Sequence, residues 1–259
     1  ALELLDDGVS VSKVAETAAT ALLRGARGNS GVILSLIFRG FSKGLSGLES
    51  AGCKDIAKAL EFGVDGAYKA VMNPTEGTVL TVSRLAAEKA SELADDSDNI
   101  AEFWGEVCKT ASEALAKTPE QLPVLAKAGV VDAGGQGLVI IFNAMLEIFC
   151  GGQIEKNSGE NQEKKTIDIS QPDNDEDIKY SYCTEYIIER NSNADPFMLR
   201  AYLETIGDCV VVVDDDEIIK VHVHTDNPGL AIQKALEFGR FINDPKPKIE
   251  NMRIQHEMR

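Results

Sequence analysis

Three glycines occur within seven residues in Gly25-Ala26-Arg27-Gly28-Asn29-Ser30-Gly31, and the apolar segment Val32-Ile33-Leu34-Ser35-Leu36-Ile37-Phe38 follows at once. The apolar residues recur at helical spacing, so the sequence predicts a glycine loop that opens a buried helix. Such a loop presents backbone N–H groups at the positive end of the helix dipole, which favours phosphate. Asn29 or Ser30 either caps this helix or turns its side chain toward a ligand. A purely structural break between two packed helices is the alternative.

Charge and composition argue against several classes of function. The 259 residues carry a net charge of −16, which argues against a nucleic-acid or anionic-membrane partner. No apolar run reaches the length of a membrane span, and no signal peptide is visible. Five scattered cysteines, an odd number, do not indicate a disulfide framework, so a reducing cytoplasm is predicted.

Residues 1–152 carry a helical pattern almost throughout. Alanine-rich, apolar helices pack closely, so the sequence predicts an all-helical bundle or barrel. The helices predicted in this part cover residues 9–23, the segment that follows the first glycine loop to about residue 44, and residues 54–72, 79–93, 100–118, 122–128 and 138–149.

The pattern changes in the last third of the chain. Residues 153–178 are dominated by polar and charged side chains and predict a flexible linker. Residues 179–259 then predict a smaller α+β domain in the order strand, helix, strand, strand, helix, strand, which is the ferredoxin-like arrangement. The predicted elements are strand 180–189, helix 196–206, strands 209–213 and 218–224 joined by Asp214-Asp215-Asp216, a helix from Asn227 to about Gly239, and an edge strand at 249–254.

Three loops of similar character precede helices in the helical part. The first offers Asn29 and Ser30, the second is Asn73-Pro74-Thr75-Glu76-Gly77-Thr78, and the third is Gly129-Val130-Val131-Asp132-Ala133-Gly134-Gly135-Gln136-Gly137. The loops either converge at one end of the bundle and hold a nucleotide, or are ordinary helix connections.

A second constellation lies in the α+β part. His222 and His224 are two residues apart on a predicted strand, so both point to one face while Val221 and Val223 point to the other. Cys183 on the first strand would meet them if the first and third strands are neighbours. The three side chains suit zinc, with one position left open. Two solvent-facing histidines and an unrelated core cysteine are the alternative; Glu185 is either a further ligand or an exposed strand residue.

The other cysteines show no ligand spacing and are expected to pack as small apolar residues; they are Cys53, Cys108, Cys150 and Cys209. Trp104 is expected in the core.

These segments together resemble a known family. The three loops are similar to the nucleotide-binding domain of the dihydroxyacetone-kinase L-subunit type, and more narrowly to the bacterial fatty acid kinase catalytic subunit. The resemblance continues through Tyr182-Cys183-Thr184-Glu185-Tyr186 and Lys220-Val221-His222-Val223-His224-Thr225-Asp226-Asn227-Pro228-Gly229, and so covers most of the chain.

The resemblance implies an eight-helix barrel that binds ATP and Mg²⁺ at one end. It places Gly28, Asn29, Ser30 and Gly31 on the phosphates, and Thr75, Gly77, Thr78, Asp132, Gly134 and Gly135 along the rest of the nucleotide. It also implies a Zn²⁺ site formed by Cys183, His222 and His224, and a homodimer through the open sheet face. The implied reaction is phosphoryl transfer to a fatty-acid carboxylate that a DegV-family fatty-acid-binding protein presents, giving an acyl phosphate for phospholipid synthesis. A carboxylate acceptor needs no strong general base, so the sequence names no catalytic residue.

One departure from the family limits this expectation. The family's Asp-Gly-Asp-Thr-Gly motif, whose aspartates hold Mg²⁺, does not occur, and Asp6-Asp7-Gly8 does not match it. The family's further C-terminal domain is also missing. We therefore expect a chain that is truncated at both ends and has little kinase activity alone. Two alternatives are a non-catalytic nucleotide- or partner-binding scaffold and a dihydroxyacetone-type small-molecule kinase.

Overall fold

The computed structural model describes residues 5, 8–71, 73–152, 179–191, 194–214, 217–243 and 245–257. A helical region comes first and a small antiparallel sheet with helices follows. The predicted linker at 153–178, and the acidic residues Asp6, Asp7, Asp215 and Asp216, lie outside the described residues.

Eight helices make up the described part of the first region. From α1 to α5 each helix packs against the next, and α8 returns to pack on α5 and α4. Trp104, fully buried as expected, donates its Nε1–H to the Phe142 carbonyl at 2.9 Å and so joins α5 to α8. The helices are α1 Val11–Gly25, α2 Gly28–Gly44, α3 Cys53–Ala70, α4 Val79–Leu93, α5 Ile100–Ala116, α6 Thr118–Gln121, α7 Pro123–Ala128 and α8 Ala133–Phe149.

Glycines bring α2 and α3 unusually close together. A Cβ added at Gly63 would lie 2.6 Å from the Ile37 carbonyl oxygen, and one added at Gly40 would lie 2.6 Å from the Gly63 Cα. Real Cβ atoms do not approach other atoms so closely, so this backbone contact requires glycine on both helices. The contact fixes the position of α2, and with it the first glycine loop.

The starts of α2 and α8 and the end of α5 differ from the sequence prediction. Helix α2 begins at Gly28, inside the predicted glycine loop. The last helix begins at Ala133 rather than at residue 138, so Gly134, Gly135 and Gly137 belong to its first turns. Asp132 caps that helix, which stabilises the glycine-rich turn. Helix α5 ends at Ala116, and the separate short helix α6 begins at Thr118 ahead of Pro119.

The sheet has the strand order β2-β3-β1-β4, with β5 pairing to the other end of β1. The predicted element order from β1 to α10 and the pairing of β1 with β3 are confirmed. The predicted edge strand is present as β5 over residues 248–251, whereas residues 252–254 are helical. The helix predicted to reach Gly239 ends at Ala235, and Gly239 begins the short strand β4, which was not predicted. The elements are β1 Tyr182–Arg190, α9 Pro196–Ile206, β2 Gly207–Asp214, β3 Ile218–Thr225, α10 Pro228–Ala235, β4 Gly239–Phe241, β5 Lys248–Asn251 and α11 Met252–Glu257.

The two faces of the sheet have different partners. Val221 and Val223 pack with α9 and α10 in one apolar cluster. On the other face, Ile187, Val213 and Ile218 join the apolar core of the helical region. The part of this face that carries Ile187, Val213 and Ile218 is therefore covered by the helical region. The expectation of an open face for a dimer contact was wrong for this part. The homodimer itself stays a prediction.

In the described part of the chain, no helix combines the length and the apolar character needed to cross a membrane.

Candidate functional site

The N-termini of α2 and α8 meet at one end of the helical region. A Cβ added at Gly134 would lie 3.2 Å from Ser30 Oγ and 3.3 Å from Asp132 Oδ2. The first and third loops predicted from the sequence are therefore in contact. Because helix N-termini expose N–H donors, their meeting concentrates positive potential in one place.

Asp132 joins the third loop to the second. Its Oδ2 accepts a hydrogen bond from the Gly135 N–H at 2.6 Å, and the Val79 N–H at the start of α4 also donates to this carboxylate. Burial raises the pKa of Asp132, and the two backbone hydrogen bonds only partly oppose that increase. The Asp132 N–H in turn donates to Thr118 Oγ1 at 3.0 Å. All three loops therefore converge around one carboxylate, and Thr118, which the sequence prediction missed, completes the junction.

The second loop is held by its own hydrogen bonds. Thr78 caps α4 as expected, since its Oγ1 accepts from the Leu80 N–H at 3.3 Å and donates to the Thr75 carbonyl at 2.7 Å. Thr81 Oγ1 accepts from the Gly77 N–H at 2.8 Å and donates to Glu76 at 2.7 Å. Gly77 has a φ of +82° and lies against α6, so this turn needs glycine.

The cap of α2 differs from the prediction. Neither Asn29 nor Ser30 caps this helix; both lie in its first turn, and no side chain of its N-cap residue Arg27 forms a cap hydrogen bond. The Gly28 N–H instead donates to Glu185 Oε1, on β1, at 2.8 Å. The amide of Gly28 is therefore occupied, and a phosphate at this loop would rely on the N–H groups of the following residues.

The candidate metal ligands on the sheet come together as expected. Cys183 lies opposite His224 in the β1–β3 register, and one possible ligand atom from each of Cys183, His222 and His224 lies within 4.8 Å of the others. His222 Nε2 is 3.2 Å from His224 Nε2, and Cys183 Sγ is 3.9 Å from His222 Nδ1. Two nitrogens bound to one tetrahedral zinc are about 3.3 Å apart, so the histidine pair is already at ligand spacing.

The protonation states also suit a cation. Burial is the main cause that lowers the pKa of His224 to about 4, so its ring is neutral at pH 7 and has a free lone pair. Burial and the Glu185 carboxylate raise the pKa of the Cys183 thiol to about 12. A bound divalent cation would reverse the second effect, because it stabilises the thiolate directly.

Several neighbours of this cluster were not identified from the sequence. Glu185 is buried rather than exposed, and its Oε1 lies 2.7 Å from His222 Nδ1. Asp208 and Cys209, at a β-bulge in β2, form a second candidate ligand group with His224. Cys53 and Cys108 are buried as expected, whereas Cys150 and Cys209 are exposed, so the expectation of apolar packing was wrong for these two.

The donor sets distinguish Zn²⁺, which the Cys183, His222 and His224 pattern suggested, from Mg²⁺, which only the family resemblance implies. A thiol and two imidazoles fit Zn²⁺, with Asp208 and Cys209 nearby on the same side. Mg²⁺ prefers several oxygen ligands, and among the described residues both candidate metal-ligand groups belong to the sheet, not to the three loops. Asp132 alone does not form a magnesium site.

Comparison with known proteins gives two matches along the chain. The model of the DAK2 domain matches residues 1–147, and the model of the FakA-like middle domain of fatty acid kinases matches residues 179–259. An uncharacterized protein of Staphylococcus saprophyticus is 41% identical over 253 residues, which cover 95% of this chain and 45% of that protein. Uncharacterized proteins of Staphylococcus epidermidis and Staphylococcus aureus are 39% identical over 254 residues, 46% of their length. The chain thus spans about half the length of these relatives.

Proposed function

We propose a function on the premise that follows from these matches: the chain belongs to the DAK2 domain family and carries a FakA-like middle domain of the fatty acid kinase type. The proposed function is ATP-dependent phosphoryl transfer to a fatty-acid carboxylate, within a longer kinase polypeptide. The convergence of the α2, α4 and α8 N-termini around Asp132 is the observation that carries this proposal. Helix N-termini are suited to polyphosphate because their free N–H groups and dipoles favour negative charge.

In the proposed reaction, a carboxylate oxygen of the fatty acid attacks the γ-phosphorus of ATP. The bond from that phosphorus to the β,γ-bridging oxygen breaks, so the products are an acyl phosphate and ADP. The acceptor is ionised at neutral pH, and the reaction therefore depends on alignment and charge neutralisation rather than on a base. On this proposal, N–H groups in the first turn of α2 hold the terminal phosphates and Asp132 orders the loops around the rest of the nucleotide. Mg²⁺, when bound, would neutralise phosphate charge; the described residues give it no site.

The acceptor and the setting are proposed from the family alone. The fatty acid would be presented by a DegV-family binding protein, the kinase would act in the cytoplasm as a homodimer, and the product would supply phospholipid synthesis. The helical region would correspond to the barrel of the dihydroxyacetone-kinase L type.

We also assign Zn²⁺ to the Cys183, His222 and His224 cluster as part of this proposal. The two histidine Nε2 atoms and the Cys183 thiolate would hold the ion, leaving one further position. Zinc bound there would stabilise the sheet region and fix the orientation of both imidazoles.

Nucleotide binding tests the loop assignment. Ser30→Glu adds a carboxylate to the first turn of α2, where the helix dipole favours it, so the fold should be retained. The same charge would repel phosphate, and we expect ATP affinity to fall by about tenfold or more, as about 1.4 kcal/mol of repulsion gives. Isothermal titration with ATP measures the change. Ala101→Glu, in the first turn of α5, is the matched control and should bind ATP normally. Equal affinity in wild type and Ser30→Glu would refute the phosphate assignment.

An assay of acyl phosphate formation then distinguishes an enzyme from a scaffold. The chain is incubated with ATP, Mg²⁺ and a fatty-acid-loaded DegV-family protein. We expect ATP binding but little turnover by this chain, and acyl phosphate formation by a longer relative that contains it. ATP binding with no turnover by the longer protein would favour the non-catalytic scaffold, and turnover of dihydroxyacetone would favour the small-molecule kinase.

Zinc content tests the metal assignment. Elemental analysis of the purified chain should give about one zinc per wild-type molecule and almost none in Cys183→Ser or in the double variant His222→Ala, His224→Ala. Cys150→Ser, which removes an exposed cysteine at the end of α8, should retain the metal. Equal zinc in wild type and the double variant would rule out these ligands.

A further inference from the structure

A single buried carboxylate connects the two candidate sites. Glu185 lies on β1 and is 6% exposed. Its Oε1 is 2.7 Å from His222 Nδ1 and 2.8 Å from the backbone nitrogen of Gly28. The first partner belongs to the metal-ligand cluster on the sheet, and the second is the first residue of α2.

At the sheet end, this contact selects one form of the His222 ring. An ionised carboxylate can only accept, so the Nδ1 that faces it carries the proton. The unprotonated Nε2 then faces His224 Nε2 at 3.2 Å, where a metal would be shared. A carboxylate behind a ligating histidine is the usual arrangement that fixes its tautomer and increases its basicity. Glu185 thus supports a ligand from behind and is not needed as a ligand itself.

At the helix end, the contact replaces a cap that the local sequence does not supply. Gly28 has a φ of +63°, and α2 has no side-chain cap from its own N-cap residue. The Glu185 carboxylate accepts the first N–H of the helix and lies at the positive end of its dipole.

Lys220, on the same face of the sheet as Glu185, binds the end of the preceding helix, α1. Lys220, buried on β3, donates from Nζ to the Leu23 carbonyl at 2.8 Å and to the Ala26 carbonyl at 2.5 Å. These carbonyls end α1, so a cation binds the negative end of one helix while an anion binds the positive end of the next. The turn between α1 and α2 is therefore held from the sheet at both sides, and its position depends on the sheet face that carries the metal ligands.

We propose that Glu185 is a positioning residue that couples metal occupancy of the Cys183, His222 and His224 cluster to the N-terminus of α2. A metal at His222 Nε2 holds the ring with Nδ1–H directed at Glu185, and the fixed carboxylate in turn holds the Gly28 N–H. The coupling rests on the proposed function for the identity of both sites. It predicts that zinc, bound on the sheet, orders the loop at which phosphate would bind.

Hydrogen exchange and histidine NMR on the whole chain test this coupling. Zinc added to wild type should slow exchange of the Gly28 amide by about fivefold or more, since stabilising the existing Gly28–Glu185 hydrogen bond by about 1 kcal/mol has that effect. Long-range ¹H–¹⁵N spectra should show His222 protonated on Nδ1. In Glu185→Ala, the Gly28 response and the His222 signature should both be lost, and zinc affinity should fall by about 10–100-fold.

Two further variants make the result decisive. Glu189→Ala removes an exposed glutamate from the same strand and should behave as wild type. Glu185→Gln keeps the size of the side chain and should give a partial loss at both ends, which decides the matter if Glu185→Ala does not fold. Zinc binding in wild type without any change at Gly28 would overturn the coupling alone, as would a Glu185 variant that alters one end only. A wild-type chain that binds no zinc would refute the proposed zinc site and the coupling with it.

Discussion

Asp132 is buried in a position that disfavours its ionised form. Its raised pKa means that burial disfavours its charged form more than the N–H donors of Gly135 and Val79 favour it. A cap residue chosen only for stability would be better solvated. Groups perturbed in this way concentrate at functional sites, which agrees with its position among the three loops.

Asp132 substitutions should separate capping from charge. Asp132→Ala removes the α8 cap and should lower the free energy of unfolding by about 0.5–2 kcal/mol. Asp132→Asn keeps an acceptor oxygen and should cost less. The folded-state pKa of Asp132 lies above the unfolded value, so wild type loses stability as pH rises through the folded pKa, and Asp132→Asn does not. Urea unfolding at several values between about pH 4 and pH 7 measures this. A difference between wild type and Asp132→Asn that moves in wild type's favour as pH rises would contradict the assignment.

The sequence predicted the residues of the candidate metal-ligand cluster but not the residues that contact and orient them. Strand alternation places His222 and His224 on one face, and the predicted strand order places Cys183 beside them. The burial of Glu185 depends on the docking of α2 against the sheet, and no local pattern contains that information. Its shared alternation with Cys183 was the available signal, and it predicts the face without predicting the contact.

At the scale of helices, the contact between α2 and α3 determines where the first glycine loop lies. Gly40 and Gly63 let the two backbones meet without intervening side chains. Close approach through glycine costs backbone entropy but gains packing density, and it leaves no room for a methyl group.

Two glycines on α3 should respond in opposite directions to alanine. Gly63→Ala would place a methyl 2.6 Å from the Ile37 carbonyl oxygen and should destabilise the protein by about 1–3 kcal/mol. At Gly66 the nearest atom to an added methyl is 3.8 Å away, so Gly66→Ala should stabilise by about 0.5–1 kcal/mol through helix propensity. Denaturant midpoints of the two variants provide the comparison. Equal effects of the two substitutions would mean that the close contact is absent.

The sequence predicted helix starts correctly where a capping side chain was evident, and incorrectly where several glycines made a loop and a helix start look alike. Thr78 and the periodicity after it place α4 at Val79–Leu93, as predicted. Helix α8 was predicted to start late because Gly134, Gly135 and Gly137 are typical of a loop. In the structure Asp132 caps these residues, and Gly135 packs against Val82 and Leu115 of neighbouring helices. That tertiary contact is not readable from a single sequence.

At the scale of the whole molecule, the sheet lies between two apolar clusters and contributes residues to both. One of its faces packs with α9 and α10, and half of the other belongs to the core of the helical region. Unfolding one region would expose apolar surface of the other. The two regions should therefore unfold together.

Trp104 offers a test of this cooperativity, because it is the only tryptophan and lies in the helical region. Val223→Thr buries an unpaired hydroxyl on the far face of the sheet and should cost about 1–3 kcal/mol. If the two regions unfold as one unit, this distant change lowers the urea midpoint reported by Trp104 fluorescence. Phe197→Ser, at a position 68% exposed on α9, should leave that midpoint unchanged. An unchanged Trp104 midpoint in Val223→Thr, with an earlier loss of sheet signal by circular dichroism, would show two independent units.

The pairing of Lys220 with the end of α1 and of Glu185 with the start of α2 also bears on chimeric proteins. Each of these residues is two positions from a candidate zinc ligand on the same strand: Cys183-Thr184-Glu185 and Lys220-Val221-His222. When a middle domain is exchanged between relatives, strands β1 and β3 therefore carry over both the candidate ligands and the two charged residues that bind the helix ends. Grafts that carry both tripeptides should dock on a foreign helical region as in the native chain, whereas grafts cut between ligand and charge would keep the candidate ligands and lose the contacts of Glu185 and Lys220 with α1 and α2.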